Sequence, residues 1–209
     1  MTEIINRIKK GLKAALVCAV IPLLLSACWE DLEEISDKVG GETQELYIGM
    51  PYRGGVIAYI LQPGDPGYVA GEKRGFIAAT VDHNVGKVWS TVYALVPDGT
   101  STALGTGSVN TDRIIAQAVA GGNNDPTSYA AGIARSYNGG GYSDWFLPSQ
   151  DELNKLYLNK AAIGGFINGN YWSSSDDSAN FAWSQYFADG TQSLFGKANP
   201  IRVRPVRSF

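Results

Sequence analysis

Two pairs of adjacent carboxylates, Asp151-Glu152 and Asp176-Asp177, and a single histidine, His83, are the groups from which this chain would have to build catalysis. Glycoside hydrolysis needs two carboxyl groups flanking one bond, one giving a proton and the other taking one or attacking. The first pair, however, follows Ser149 in the order Ser-x-x-Glu, a capping box, and acids there also meet the positive end of a helix dipole. The second lies in Ser173-Ser174-Ser175-Asp176-Asp177-Ser178, a polar run lacking the alternating Asp/Asn ligands and central Gly of a calcium loop, which leaves calcium binding open but unsupported. A Ser-His-Asp triad can be assembled from distant residues. Yet there is no Gly-x-Ser-x-Gly elbow, and Asp82-His83-Asn84 reads as an exposed loop between strands. Gly105-Thr106-Gly107 fits neither dinucleotide nor P-loop spacing. Two cysteines and one histidine are too few for a Cys/His zinc site. The expectation is a protein without catalysis, cofactor or metal, with a carboxylate-dependent glycan hydrolase as the alternative.

What the last third offers is a binding surface. Tyr171, Trp172, Phe181, Trp183, Tyr186, Phe187 and Phe195 alternate with short polar residues, a mixture that gives contact area at low entropy cost together with adaptable hydrogen bonds. One face of such strands must be core, and Trp145, Leu147 and Trp172 are assigned to the core because each sits in a motif whose polar neighbours already have structural roles. The expected ligand surface runs from Ser175 to Ser184 and from Asp189 to Lys197. Its residues are Asp176, Asp177, Ser178, Asn180, Phe181, Ser184, Asp189, Gln192, Leu194 and Phe195. Three aspartates make it acidic, so the partner is expected to be an extracellular protein or glycan that is polar or cationic, not a sulfated polysaccharide.

The elements that must hold this surface can be read from pattern. Gly55 to Leu61 and Gly75 to Val81 are strands around a Pro/Gly-rich loop, and Val88 to Val96 is a further strand candidate around Trp89. Helices follow: one capped at Asn110 or Thr111 and stopped at Gly121-Gly122, one from Thr127 to Tyr137, and one opening at Ser149. Strands return at Tyr171 to Ser175, Phe181 to Phe187, Thr191 to Phe195 and Ile201 to Arg207, with Asp189-Gly190 a hairpin turn. Strands, then helices, then strands imply an α+β fold with a mainly antiparallel sheet and two or three helices.

The N-terminus has its own chemistry. Arg7, Lys9, Lys10 and Lys13 precede an apolar run from Ala14 to Leu25, and Ser26-Ala27 precede Cys28. The run is 12 residues long, whereas a spanning helix needs roughly 20, so it reads as an export signal over residues 1–27. Leu25-Ser26-Ala27-Cys28 resembles a bacterial lipobox, which implies lipid on Cys28 and a membrane partner through that lipid. Cys18 leaves with the signal, so no thiol remains for a disulfide and the core alone must stabilise the remaining 182 residues. Taking four basic residues and one acidic residue from totals of 17 and 20 leaves 13 against 19, a net of −6. That sign disfavours nucleic acid. Residues 28–48 read as an acidic flexible tether, with Glu30, Asp31, Glu33 and Glu34 near its start. They resemble the acidic export signal of surface lipoproteins in one large Gram-negative group, implying the outer face of the bacterial outer membrane. A structural envelope lipoprotein without a specific ligand is the other alternative.

Four segments carry a wider resemblance: Tyr142-Ser143-Asp144-Trp145-Phe146-Leu147-Pro148-Ser149, Asp151-Glu152-Leu153, Tyr171-Trp172-Ser173-Ser174-Ser175 and Val203-Arg204-Pro205-Val206-Arg207. From about Gly49 to Phe209 the chain resembles the C-terminal domain of collagen-like adhesins, the Lcl C-terminal domain family, and the fibrobacter major paralogous domains of lipoproteins. The resemblance implies a C-type-lectin-like fold over residues 49–209, with both ends in one sheet and long ligand-facing loops. The cysteines of that fold's enzyme branch and the calcium-binding Trp-Asn-Asp signature are both missing. The chain also resembles variable proteins of diversity-generating retroelements, in which Asn, Ser, Asp and Tyr mark mutable positions late in the domain.

Overall fold

Gly55–Ile60 is apolar at nearly every position, as a strand covered on both faces must be, and it forms β2 at the heart of the first sheet. The structure, a computed structural model, describes residues 45–209, of which Leu46–Phe209 make one compact unit. The expected signal at 1–27, Cys28 and most of the tether at 28–48 lie outside the described residues. β2 pairs with β1 (Pro51–Tyr52) and β3 (Gly75–Ala78), and β3 pairs with β9 (Val206–Ser208), all antiparallel. The first and last strands of the described unit therefore share one sheet.

The second sheet has the order β4-β8-β5-β6-β7. Its strands are β4 (Asn84–Lys87), β5 (Asn170–Asp176), β6 (Phe181–Tyr186), β7 (Gln192–Gly196) and β8 (Ile201–Val203). Among the described residues only the β5–β8 pair is parallel. Between the strand groups run α1 (Gly107–Ala120), α2 (Ala130–Ser136), α3 (Gln150–Leu158) and the single turn α4 (Lys160–Ile163). The α+β class and the antiparallel bias agree with the sequence.

β5 is packed on both of its faces. Tyr171 points into a core shared with β2, β3, α3 and Phe187, while Trp172 points into another shared with α1, α2, Trp89 and Val203. Trp145, Leu147 and Trp172 are all fully buried, as expected. The indole N–H of Trp172 donates to Lys87 O at 2.8 Å.

Four boundaries differ from the sequence reading, each for a tertiary reason. Val88 to Val96 is not a strand, because its backbone bonds elsewhere: Trp89 N donates to Lys197 O and Val88 O accepts from Ala130 N. The first helix starts at Gly107 instead of after Asn110, because the Glu152 carboxylate accepts the Gly105 and Gly107 N–H groups at its start. Asn110 and Thr111 are then buried helix residues, and Asn110 ties down Ser101 and Ser174. The segment 127–137 splits into a 3-10 turn, Pro126–Ser128, capped by Asp125, and α2. Ile201 to Arg207 breaks at Arg204-Pro205: proline has no N–H for a ladder, and the buried Arg204 binds Asp82, so the chain crosses from the second sheet to the first.

Candidate functional site

Ser149 accepts from Glu152 N while Glu152 accepts from Ser149 N, so the capping box expected from sequence is present. Glu152 does more than cap. It is buried, and its Oε1 also accepts from Gly105 N at 2.8 Å and Gly107 N at 3.3 Å. Burial pushes its carboxyl up to about 7, while the N–H donors of Ser149, Gly107 and Gly105 pull the other way. A side chain at Gly107 would collide with this carboxylate. The carboxylate is thus enclosed by backbone where α1 and α3 begin. His83 packs its ring 4.9 Å from that of Tyr137 and makes no side-chain hydrogen bond among the described residues. No cluster of three or more His, Cys, Asp or Glu able to hold a metal occurs among them either.

The second acidic pair divides. Asp176 Oδ1 accepts from the Thr100 hydroxyl at 2.6 Å, and Oδ2 accepts from Val96 N and Lys197 Nζ, both at 3.1 Å. Both side chains of this ion pair are almost fully buried, at 3% for Asp176 and 0% for Lys197. Lys197 also donates to Ala94 O and lies 4.5 Å from the Trp89 ring centre. Burial pulls its pKa down, against the raising effect of Asp176. Asp176 was expected on the ligand surface; it instead clamps the 88–106 loop to the sheet. Asp177 is exposed.

Register sorts the other candidates by face. In β6–β7 the partners are Phe181↔Gly196, Ala182↔Phe195, Trp183↔Leu194, Ser184↔Ser193 and Gln185↔Gln192. Directly opposed residues share a face. Phe181, Trp183 and Leu194 therefore lie together, with Phe181 46% and Leu194 39% exposed and Trp183 half-buried. Ala182, Ser184 and Phe195 lie on the other face. There Phe195 packs against the Trp172 core, and Ser184 is buried with its hydroxyl donating to Ser193 O. Ser184 and Phe195 thus leave the expected surface, because alternation sends them inward. Ser173, Ser174 and Ser175 are equally buried, their hydroxyls bonded to Trp183 O, Asn110 and Ser101 O.

Around the apolar stripe sits a polar rim. The Gln192 side-chain oxygen accepts from the Gln150 side-chain amide, and the Gln192 amide donates to the Gln150 backbone carbonyl, both at 3.2 Å. Ser178 accepts from Phe181 N and shapes the β5–β6 turn, where Asn180 is exposed. Asp189 is exposed and accepts from Thr191 N, and these hydrogen bonds with Thr191 hold its carboxyl below the usual range. Gly190 completes that turn with φ +88°, and a side chain there would strike Tyr157. Gln185, beneath the rim, donates to Asn154 and Gly190 O, and its buried carbonyl oxygen has no donor among the described residues. Of the expected set, Asp177, Ser178, Asn180, Phe181, Asp189, Gln192 and Leu194 remain at the surface or its edge. Trp183, though among the aromatics of the last third and within the expected span, was not in the expected residue set, and Gln150 was missed. Trp183 could have been found by its period-two spacing from Phe181; Gln150 could not, since only packing of α3 brings it to Gln192.

Comparison with known proteins adds two findings. Residues 79–207 match the family model described as the Lcl C-terminal domain. Among solved structures, a fimbrial protein from Bacteroides ovatus is similar in fold with a TM-score of 0.51 and 13% identity, over 79% of this chain and 46% of that one. The chain thus spans under half the length of that structure. No curated protein matches.

Proposed function

Because the chain belongs to the Lcl C-terminal domain family, we propose that it is a non-catalytic, adhesin-like protein of the bacterial cell surface that holds an extracellular protein or glycan. The observation that carries this reading is the Phe181-Trp183-Leu194 stripe: three large apolar side chains side by side on an open strand pair, rimmed by Gln150, Gln192, Asn180 and the exposed Asp177 and Asp189. Apolar surface gathered in this way marks a binding site more often than scattered residues do. The similarity in fold to a fimbrial protein supports a surface setting. A C-type-lectin-like assignment is supported by the sharing of one sheet between β1–β3 and β9 and by the long 88–106 loop.

Trp183→Ala and Phe181→Ala test the site. Aromatic anchors of an interface are typically worth about 2 kcal/mol or more. Each variant is expected to weaken binding at least about tenfold in a glycan-array or host-cell screen, with a melting temperature near wild type. Unchanged binding in both variants would place the site elsewhere.

Attachment is proposed to run through lipid on Cys28, with the domain outside the outer membrane. No helix among the described residues is long and apolar enough to cross a bilayer. Cys28→Ser is expected to abolish labelling by a fatty-acid probe and to release the protein or leave it uncleaved. Equal labelling of wild type and variant would refute the anchor.

A further inference from the structure

β7 is the last strand of its sheet. Tyr186 N donates to Thr191 O and Lys197 N to Asn180 O, each at 2.8 Å, and these two bonds bracket the β6–β7 ladder. Bonded and non-bonded pairs alternate in an antiparallel ladder. With the observed register, Thr191, Ser193, Phe195 and Lys197 turn their backbone groups toward β6. The N–H and C=O of Gln192 and Leu194 therefore face the open edge, and neither residue's backbone has another partner among the described residues.

Native sheet edges are usually guarded by lysine, proline, a bulge or a covering segment. This one has unbroken register and neither charge nor proline from Thr191 to Gly196, and the lysine that follows is turned inward onto Asp176. Leu194 joins the free edge to the apolar stripe, since its side chain lies beside Trp183. Exposed carboxylates stand at both ends: Asp189 before β7, and Asp177 in the turn whose Asn180 holds Lys197 N. Lys160, which faces Asp189, has its ammonium tied to Phe187 O.

On the reading that β6–β7 is the binding surface, we propose that its occupant is an extended polypeptide strand. It adds to β7 through the backbone of Gln192 and Leu194, lays an apolar side chain against Leu194 and Trp183, and carries basic residues toward Asp189 and Asp177. Main-chain pairing supplies affinity and alternate side chains supply specificity in this mode. A glycan has no matching row of N–H and C=O groups.

The test uses the full-length, isotope-labelled chain in detergent micelles with the synthetic peptide Lys-Val-Thr-Val-Thr-Val-Lys, its N-methylated form and a form with Glu at both ends. The unmodified peptide at millimolar concentration is expected to shift the Gln192 and Leu194 amide resonances and slow their hydrogen exchange. Binding is expected to fall at least tenfold for the N-methylated peptide and to weaken for the Glu-ended one. Gln192→Pro removes one outward N–H without breaking a β6 bond, but it also removes both side-chain bonds to Gln150, so Gln192→Ala, which loses only those, is its control; the proline variant should bind at least tenfold more weakly than the alanine variant. No response at the two amides, or an equal response to the N-methylated peptide, overturns the proposal. A response of Trp183 alone keeps the surface as the site and overturns the added strand. Self-association of the chain that Gln192→Pro abolishes makes a second copy the occupant, and also overturns it.

Discussion

Trp172→Ala is expected to cost the domain about 3–5 kcal/mol, the usual toll for truncating a large buried aromatic. For a domain of this size that corresponds to a fall in melting temperature on the order of 10 °C. The cause is the position of Trp172 on β5, where the side chain is fully buried among residues of α1, α2 and β8. Alanine leaves a void that Trp89, Leu147 and Val203 fill only in part, and the Lys87 carbonyl loses its indole donor. Phe181→Ala is the internal control: its side chain is 46% exposed and outside every core cluster, so it should melt close to wild type. A Trp172→Ala protein that melts like wild type but no longer binds would move this residue to the ligand surface.

Asp176→Ala is expected to destabilise by a similar amount, about 3–5 kcal/mol, because it leaves a buried ammonium uncompensated. Lys197 would retain only the Ala94 carbonyl and the Trp89 ring as neighbours for its charge. The reverse change, Lys197→Met, should cost less, since Asp176 would still accept from Val96 N and Thr100. Asp176→Ala combined with Lys197→Met removes both charges, and should be more stable than Asp176→Ala alone. Urea unfolding of the four proteins measures this order. If Asp176→Ala unfolds at the wild-type midpoint, the pair is solvated and Asp176 returns to the candidate surface. The two roles are separable in this way because a ligand contact at an exposed carboxylate adds little to stability.

The sequence by itself determined what depends on neighbours a few residues apart. The Ser149-Glu152 box is legible because both of its bonds close within one helical turn. The Asp189-Gly190 turn is legible because only the local backbone, with φ +88° at Gly190, has to be satisfied. The α+β order follows from the patterning of successive segments, and the buried Trp145, Leu147 and Trp172 from motifs whose polar neighbours already have structural roles. The β6 alternation was visible too, and it contained the site's main aromatic, Trp183, two positions from Phe181.

Only the tertiary structure decided which of the polar residues are inside. Asp176 looks like any loop carboxylate until a segment 76 to 80 residues away brings Thr100 and Val96 to it, and until the end of β7 turns Lys197 onto it. The early start of α1 likewise needs the carboxylate of Glu152, 45 residues downstream of Gly107. The break at Arg204-Pro205 needs Asp82, 122 residues upstream of Arg204. Each depends on a charge whose burial is tolerated only once a distant donor or acceptor arrives. No local pattern of residues announces that arrival, so only the packing of the 88–106 loop decides that Asp176 lies inside, while Asp177 beside it stays exposed.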